Sequence, residues 1–273
     1  MFNERCQLTD RTTSAVAGRR RPGFTLVELL IVVAIIALLT GILVPSLQGA
    51  KDQARAAGCL NNLHNLGVSM QLYVHENAET FWYYSERVKV VNDDDNYVWR
   101  YFWGEAVIPV NPRTSPFLKY CGYRLDYLWC GSLPWGSYVP QANMIEPTTC
   151  YGYNAWCLDP AAAGRSDAQG RPMPRKRLSL LKRPGELFVF ADSAMYWSPD
   201  GIDILQNSTW LEPPYWGAYE NGTATTHFRH GGAANALCAD GHAGRYQPEG
   251  GPMLVPEYRL GFVGSSNEPH YDQ

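Results

Sequence analysis

Four side chains able to bind metal or move protons fall within sixteen residues of the sequence: His227, His230, Asp240 and His242. Asp192, at the end of an apolar segment upstream, is a fifth. Imidazoles and carboxylates in such proximity suit a divalent cation, although the spacing matches none of the zinc ligand patterns. The metal candidates are Asp192, His230 and Asp240. Oxygen ligands favour calcium, held by Asp192, Asp240 and backbone carbonyls. The architectural alternative ranks first: Asp240 makes a turn, and His230 caps the loop that enters a strand. Catalysis ranks last, because no nucleophile elbow, phosphate loop, GxGxxG or paired-carboxylate pattern occurs. No catalytic residue is assigned, an enzyme is not expected, and no cofactor beyond that possible calcium is implied.

Sulfur chemistry is the second possibility. Of 7 cysteines, Cys6 lies near the N-terminus and six follow: Cys59, Cys121, Cys130, Cys150, Cys157 and Cys238. Six cysteines allow 15 complete pairings. The local candidates are Cys121 with Cys130 and Cys150 with Cys157, each closing a short loop. Cys59 falls in a helical pattern and Cys238 in a strand pattern, so either is also consistent with a buried thiol. At least one disulfide is expected if the domain lies outside the cytoplasm.

The elements that must position these groups begin with an apolar run. Residues 24–44, FTLVELLIVVAIIALLTGILV, hold one charge in 21 residues, enough as a helix to cross a hydrocarbon core of ~30 Å. Arg19, Arg20 and Arg21 precede it directly and hold the N-terminus in the cytoplasm by the positive-inside tendency. A secretory signal has a shorter core and a small-residue cleavage site after it; here the Gly23-Phe24 junction lies before the run. Glu28 is costly in hydrocarbon and needs either headgroup contact or a partner. Beyond Pro45, Leu60, Leu63, Gly67, Met70 and Val74 form an amphipathic stripe. One helix is therefore expected over 24–75, roughly 75 Å long, bent or locally opened by Pro45. Residues 76–273 are the expected globular head. LFVFA (187–191) and ANALCA (234–239) read as buried strands, and Asp240-Gly241 as a two-residue type I′ hairpin turn leading into a return strand over 242–246. Residues 161–177 read as an exposed loop. The fold class expected is α+β, a long helix packed on an antiparallel sheet.

Composition agrees with an anchored, exported domain. Hydrophobic residues make up 45% and charged residues only 18%. Residues 1–23 carry a net +3, whereas the remainder carries −6. An acidic head is a poor partner for phosphate, so no nucleic acid is expected.

Residues 22–48, PGFTLVELLIVVAIIALLTGILVPSLQ, resemble the type IV prepilin and type II secretion pseudopilin signature, with Gly23, Phe24, Glu28 and Pro45 at matching positions. The resemblance implies a leader over 1–23. A prepilin peptidase would cut between Gly23 and Phe24 and methylate the new Phe24 amine. It also implies that Glu28 pairs with the N-terminal amine of a neighbouring subunit, an ion pair that offsets its burial. A second resemblance is to pilin-like H-X9-DG proteins, with relatives in the DUF1559 family. His230 is followed by nine residues and then Asp240-Gly241, and segments 54–74, 151–154 and 183–193 are similar too. That implies a pilin-like architecture with the H-X9-DG hairpin near 230–246, and no known reaction.

Two functions from different classes follow. The first is a structural pilin or pseudopilin subunit of a type IV pilus or type II secretion-like filament, with prepilin peptidase, other subunits and the membrane as partners. It would span the inner membrane once, N-terminus cytoplasmic and head periplasmic or extracellular. The second is a membrane-anchored binding module, for carbohydrate among other ligands, with aromatic clusters at 81–84 and 99–103 as the surface. Those aromatics equally suit a core, which is the preferred reading.

Overall fold

The computed structural model describes residues 23–89, 97–105, 111–133, 149–198, 201–248 and 253–273. The leader apart from Gly23, the loop holding Asp93, Asp94 and Asp95, and part of the unassigned stretch before residue 149 lie outside the described residues. The chain divides into two compact units, Met1–Gln48 and Gly49–Gln273.

Helix α1 spans Leu26–Glu76, 51 residues, and continues through Pro45. Its first part is exposed throughout, with Phe24, Leu30, Ile36 and Leu43 all solvent-facing. It is long and apolar enough to cross a membrane. Thr40, a polar side chain in that stretch, donates its hydroxyl to Ile36 O at 2.7 Å, so it is satisfied within the helix.

The later part of α1 belongs to the head. The expected stripe is buried at Leu63, Gly67, Met70 and Val74, joined by Cys59, Leu66, Ser69 and Tyr73. These residues recur at helical spacing, so one face meets the core while His64, Val68 and Leu72 stay exposed.

The central sheet has four antiparallel strands: β4 (Tyr151–Tyr153), β5 (Phe188–Asp192), β11 (Ala234–Cys238) and β12 (Ala243–Tyr246). Their order is β12-β11-β5-β4. Both strands expected from apolar runs are present, and both are buried along their whole length. Small antiparallel sheets surround them. The first has β1 (Ser85–Lys89), β2 (Tyr97–Tyr101) and β3 (Gly104–Glu105). Three two-stranded pairs follow: β6 (Met195–Trp197) with β7 (Ile204–Gln206), β8 (Tyr215–Trp216) with β9 (Tyr219–Glu220), and β10 (Thr226–His227) with β13 (Leu260–Gly261). A four-residue helix α2 (Ala155–Leu158) follows β4, and the Asn154 side chain caps it by accepting from Cys157 N. The architecture is α+β, as expected.

The turn between β11 and β12 differs from expectation. Cys238 N donates to His242 O and Gly241 N to Cys238 O, so three residues form the loop and not two. Only Gly241 takes a positive φ, 98°. This is the three-residue hairpin with a left-handed glycine rather than a type I′ turn, which needs positive φ at two positions. The turn lies against α1: a Cβ on Gly67 would sit 2.8 Å from Gly241 O and 2.8 Å from Leu237 Cδ1. Gln71 Nε2 donates to Ala239 O nearby, and Asn235 Nδ2 donates to Ala56 O at the other end of β11. The H-X9-DG segment thus runs beside α1 from Ala56 to Gln71.

The aromatic clusters form the core. Phe81, Trp82, Tyr84, Phe102 and Trp103 are buried. Trp82 stacks on Phe117 with centroids 4.1 Å apart and on Tyr153 at 5.2 Å. The sugar-binding surface suggested for 81–84 and 99–103 is therefore largely the inside of the head, with Trp99 the exposed exception.

Candidate functional site

The first site is the N-terminal segment. Thr25 precedes α1 and Glu28 is its third helical residue. Glu28 N donates to Thr25 Oγ1 at 3.2 Å, while Glu28 Oε2 accepts from Thr25 N at 2.9 Å and from Thr25 Oγ1 at 2.8 Å. This is a capping box, the reciprocal arrangement that T-x-x-E favours at a helix start. The pattern Thr25-Leu26-Val27-Glu28 was legible, and it gives Glu28 an intrachain role that burial cost alone does not reveal. In the free chain the carboxylate orders the turn beside Phe24.

The second site surrounds His230. Gly231 and Gly232 both take positive φ, and His230 N donates to Ala233 O at 2.9 Å, closing the turn that enters β11. The His230 side chain points inward. Its Nε2 lies 3.0 Å from Asp192 Oδ2, and that oxygen also accepts from Asn235 N at 2.7 Å. Asp192 Oδ1 faces Arg229 Nε at 3.5 Å. Arg229 itself donates to Cys150 O and Ser193 O. Asp192 is fully buried, and a buried carboxylate is tolerable because a guanidinium, an imidazole and an amide meet it.

Asp240 does not join this group. It sits at the far end of β11, exposed, with its Oδ1 2.7 Å from His242 Nδ1. The three metal candidates therefore separate, and calcium shared by Asp192 and Asp240 has no support in the geometry. Asp240 begins a chain of contacts instead: His242 Nε2 meets Tyr246 OH at 3.2 Å, and Tyr246 OH meets Cys238 Sγ at 3.1 Å. The series has the residue types of a nucleophile relay, but burial pushes the Cys238 thiol up to about 12, so the thiolate is scarcely populated.

The cysteines also depart from expectation. Cys59 on α1 is bonded to Cys130, 71 residues on. The Cys121–Cys130 and Cys150–Cys157 pairs do not form; Cys121, Cys150, Cys157 and Cys238 are free and buried. Cys130 was pointed toward the wrong partner because only short loops are visible in a sequence. Burial raises Cys121 to about 11 and Cys157 to about 12, and raises Cys150 as well, so these thiols are inert filling. Around the bridge, Asn62 Nδ2 donates to Trp129 O at 2.9 Å and Tyr151 OH to Cys59 O at 3.1 Å. His230 Nε2 lies 3.5 Å from Cys130 Sγ. Cys59, Cys130 and His230 place their ligand atoms within 4.8 Å of one another, but sulfurs joined to each other are not the thiolates a metal needs.

His227 makes the head acid-sensitive. It is buried in β10, and desolvation first, then Arg229 and Arg259, hold its imidazole down at about 2. Unfolded, a histidine titrates near 6.5. A folded-state value below the unfolded one means that protons bind the unfolded chain more tightly, so stability is present above about 6.5 and is lost as the pH falls below it. The expected loss is about 2 kcal/mol between pH 6.5 and 5. Asp159, raised by its own burial, acts with the opposite sign. Urea midpoints across this range test the expectation: His227→Phe flattens the slope, and an unchanged slope refutes the assignment.

An apolar N-terminal helix, long enough to cross a membrane, leads into an α+β head of antiparallel sheets. Residues 18–44 match the family described as the prokaryotic N-terminal methylation motif, so the chain carries a prepilin-type N-terminal motif at the start of its apolar helix. The match ends before the head. No curated protein and no solved structure matches the chain.

Proposed function

We propose that the protein is a subunit of a type IV pilus or type II secretion-like filament, cut by a prepilin peptidase between Gly23 and Phe24 and N-methylated at Phe24. The carrying observation is the stretch Leu26–Gln48 of α1: it follows the methylation motif directly and leaves its apolar side chains exposed all round. Such a surface is stable only in lipid or against other apolar helices. Packing it against copies of itself, head to tail, gives an open helical assembly. The subunit waits in the inner membrane with its N-terminus cytoplasmic and its head outside, and the oxidised Cys59–Cys130 bridge supports that side for the head. On assembly, Glu28 exchanges part of its intrachain cap for the amine of a neighbouring Phe24.

Two Glu28 variants separate cap from charge. Glutamine keeps the capping box, whereas alanine keeps the Thr25 Oγ1 bond to the residue-28 amide and loses the reciprocal one. Both are expected to be cleaved and both to fail to enter filaments, read as loss of sedimentable protein from sheared cells that assemble the wild type. Wild-type assembly by Glu28→Gln would show that only the cap matters and would remove the charge pairing from the proposal.

A further inference from the structure

The aromatic surface that the sequence placed at 81–103 is mostly core, but a different group of tryptophans is open. Trp156, Trp210 and Trp216 line a cleft of about 370 Å³ with Ala162, Ala163 and Glu212. That volume is in the range of small-ligand sites. Trp216 is 47% exposed, and Tyr219, paired with it across the β8–β9 hairpin, is 80% exposed. Aromatic area left in water on a two-stranded hairpin is available to a ligand.

The cleft wall decides what kind of ligand fits. Glu212 Oε2 is held by Trp216 Nε1 at 2.9 Å and by Asn221 Nδ2 at 3.4 Å. Both bonds fall on one oxygen, so Oε1 remains an acceptor with no hydrogen bond among the described residues. A hydrocarbon ligand would bury that oxygen without a donor, at a cost. One indole of the wall is already engaged by a cation: the Arg165 guanidinium lies over the Trp156 ring at 4.7 Å and is fixed there by Trp156 O and Asp272, which leaves that ring less able to attract a second one. What satisfies both wall and acceptor is a neutral molecule with flat apolar faces and hydroxyls at its edges.

We infer that this cleft binds a glycan, specifically a β-linked chain of gluco-configured pyranoses. When every ring hydroxyl is equatorial, the C–H bonds form an apolar face that lies flat on an indole, and the edge hydroxyls reach Glu212 Oε1 as donors. The inference is independent of filament assembly, since it concerns the head alone.

The test uses the full chain, extracted in a detergent without a sugar headgroup. Tryptophan fluorescence is followed against cellopentaose and chitopentaose, with the bent α-linked maltopentaose and with tetramethylammonium as comparisons. Saturable binding of at least one β-linked probe is expected, weaker for maltopentaose and absent for the cation. Trp216→Ala and Glu212→Gln should each weaken it roughly tenfold or more, while Trp99→Ala, which removes an exposed tryptophan elsewhere, leaves it unchanged. Trp216 is half exposed and Gln preserves the Glu212 shape, so an unaltered circular dichroism spectrum is expected alongside the lost binding. No binding of either β-linked probe, binding that both cleft variants leave intact, or tetramethylammonium binding in their place overturns the inference.

Discussion

Gly23→Ala is expected to leave the leader attached, and the wild type is expected to be recovered from membranes beginning at N-methylated Phe24. Intact-mass and N-terminal analysis of both proteins is the measurement. The substitution is informative because Gly23 carries no structural demand that alanine would violate. A Cβ there meets nothing within 4 Å, and Gly23 takes no positive φ. The capping box begins at Thr25 and the helix at Leu26, so the anchor is expected to form in both proteins. Failure to cleave then reports recognition at the junction and not a misfolded helix. The effect is all or none for the maturation step and for assembly after it. A wild-type chain that keeps its leader in cells that process other prepilins would reduce the protein to a single-span anchor, and the glycan-binding head would become its main function.

Removing the Cys59–Cys130 bridge has the largest expected effect on the head. The bond closes a loop with a sequence separation of 71, and the chain-entropy relation for a loop of that size gives about 4 kcal/mol. For a domain of this length that is a fall in Tm of roughly 10 °C. Cys59→Ala combined with Cys130→Ala avoids leaving a lone buried thiol, and thermal unfolding followed by circular dichroism reads the difference. Counting thiols in the unfolded mature chain is a second reading of the same bond: four without reductant and six with it. Six thiols in both conditions, together with an unchanged Tm in the double variant, would mean that the bridge does not exist in the protein.

What could be read from the sequence followed from periodicity. Leu63, Gly67, Met70 and Val74 repeat at helical steps, and they are the buried face of α1. The runs around Phe190 and Leu237 are strands buried on both sides, where an unbroken apolar stretch is the expected pattern. The short strands gave no such signal, because two residues, as in Tyr215–Trp216 or Leu260–Gly261, are too few to show a period of two. Site geometry was least legible where partners are distant in sequence. Asp192 and His230 meet across two strands, whereas Asp240, nearer to His230 in sequence, lies at the other end of β11 beside His242. Cys130 joins a helix 71 residues upstream. Trp156 on α2 and Trp216 on β8 line one cleft although 60 residues apart in sequence, while adjacent aromatics such as Phe81 and Trp82 drew attention to the core. The Thr25–Glu28 box was the one local signal in plain view, overshadowed by the apolar run it begins.

The position of the bridge also governs how the protein bears load. Cys59 is the first buried residue of α1, so tension entering along the anchoring helix meets only the Asn235–Ala56 hydrogen bond before it arrives at a covalent bond, ahead of the buried packing between helix and sheet. The segment from Cys59 to Cys130 is bypassed, and about 240 Å of potential extension is withheld while the disulfide is intact. A ligand held in the tryptophan cleft, beyond the bypass, would pull on the sheet through the shorter remaining path. Reduction would lengthen that tether and shift the first rupture from a covalent staple to the packing of Leu63, Gly67 and Met70.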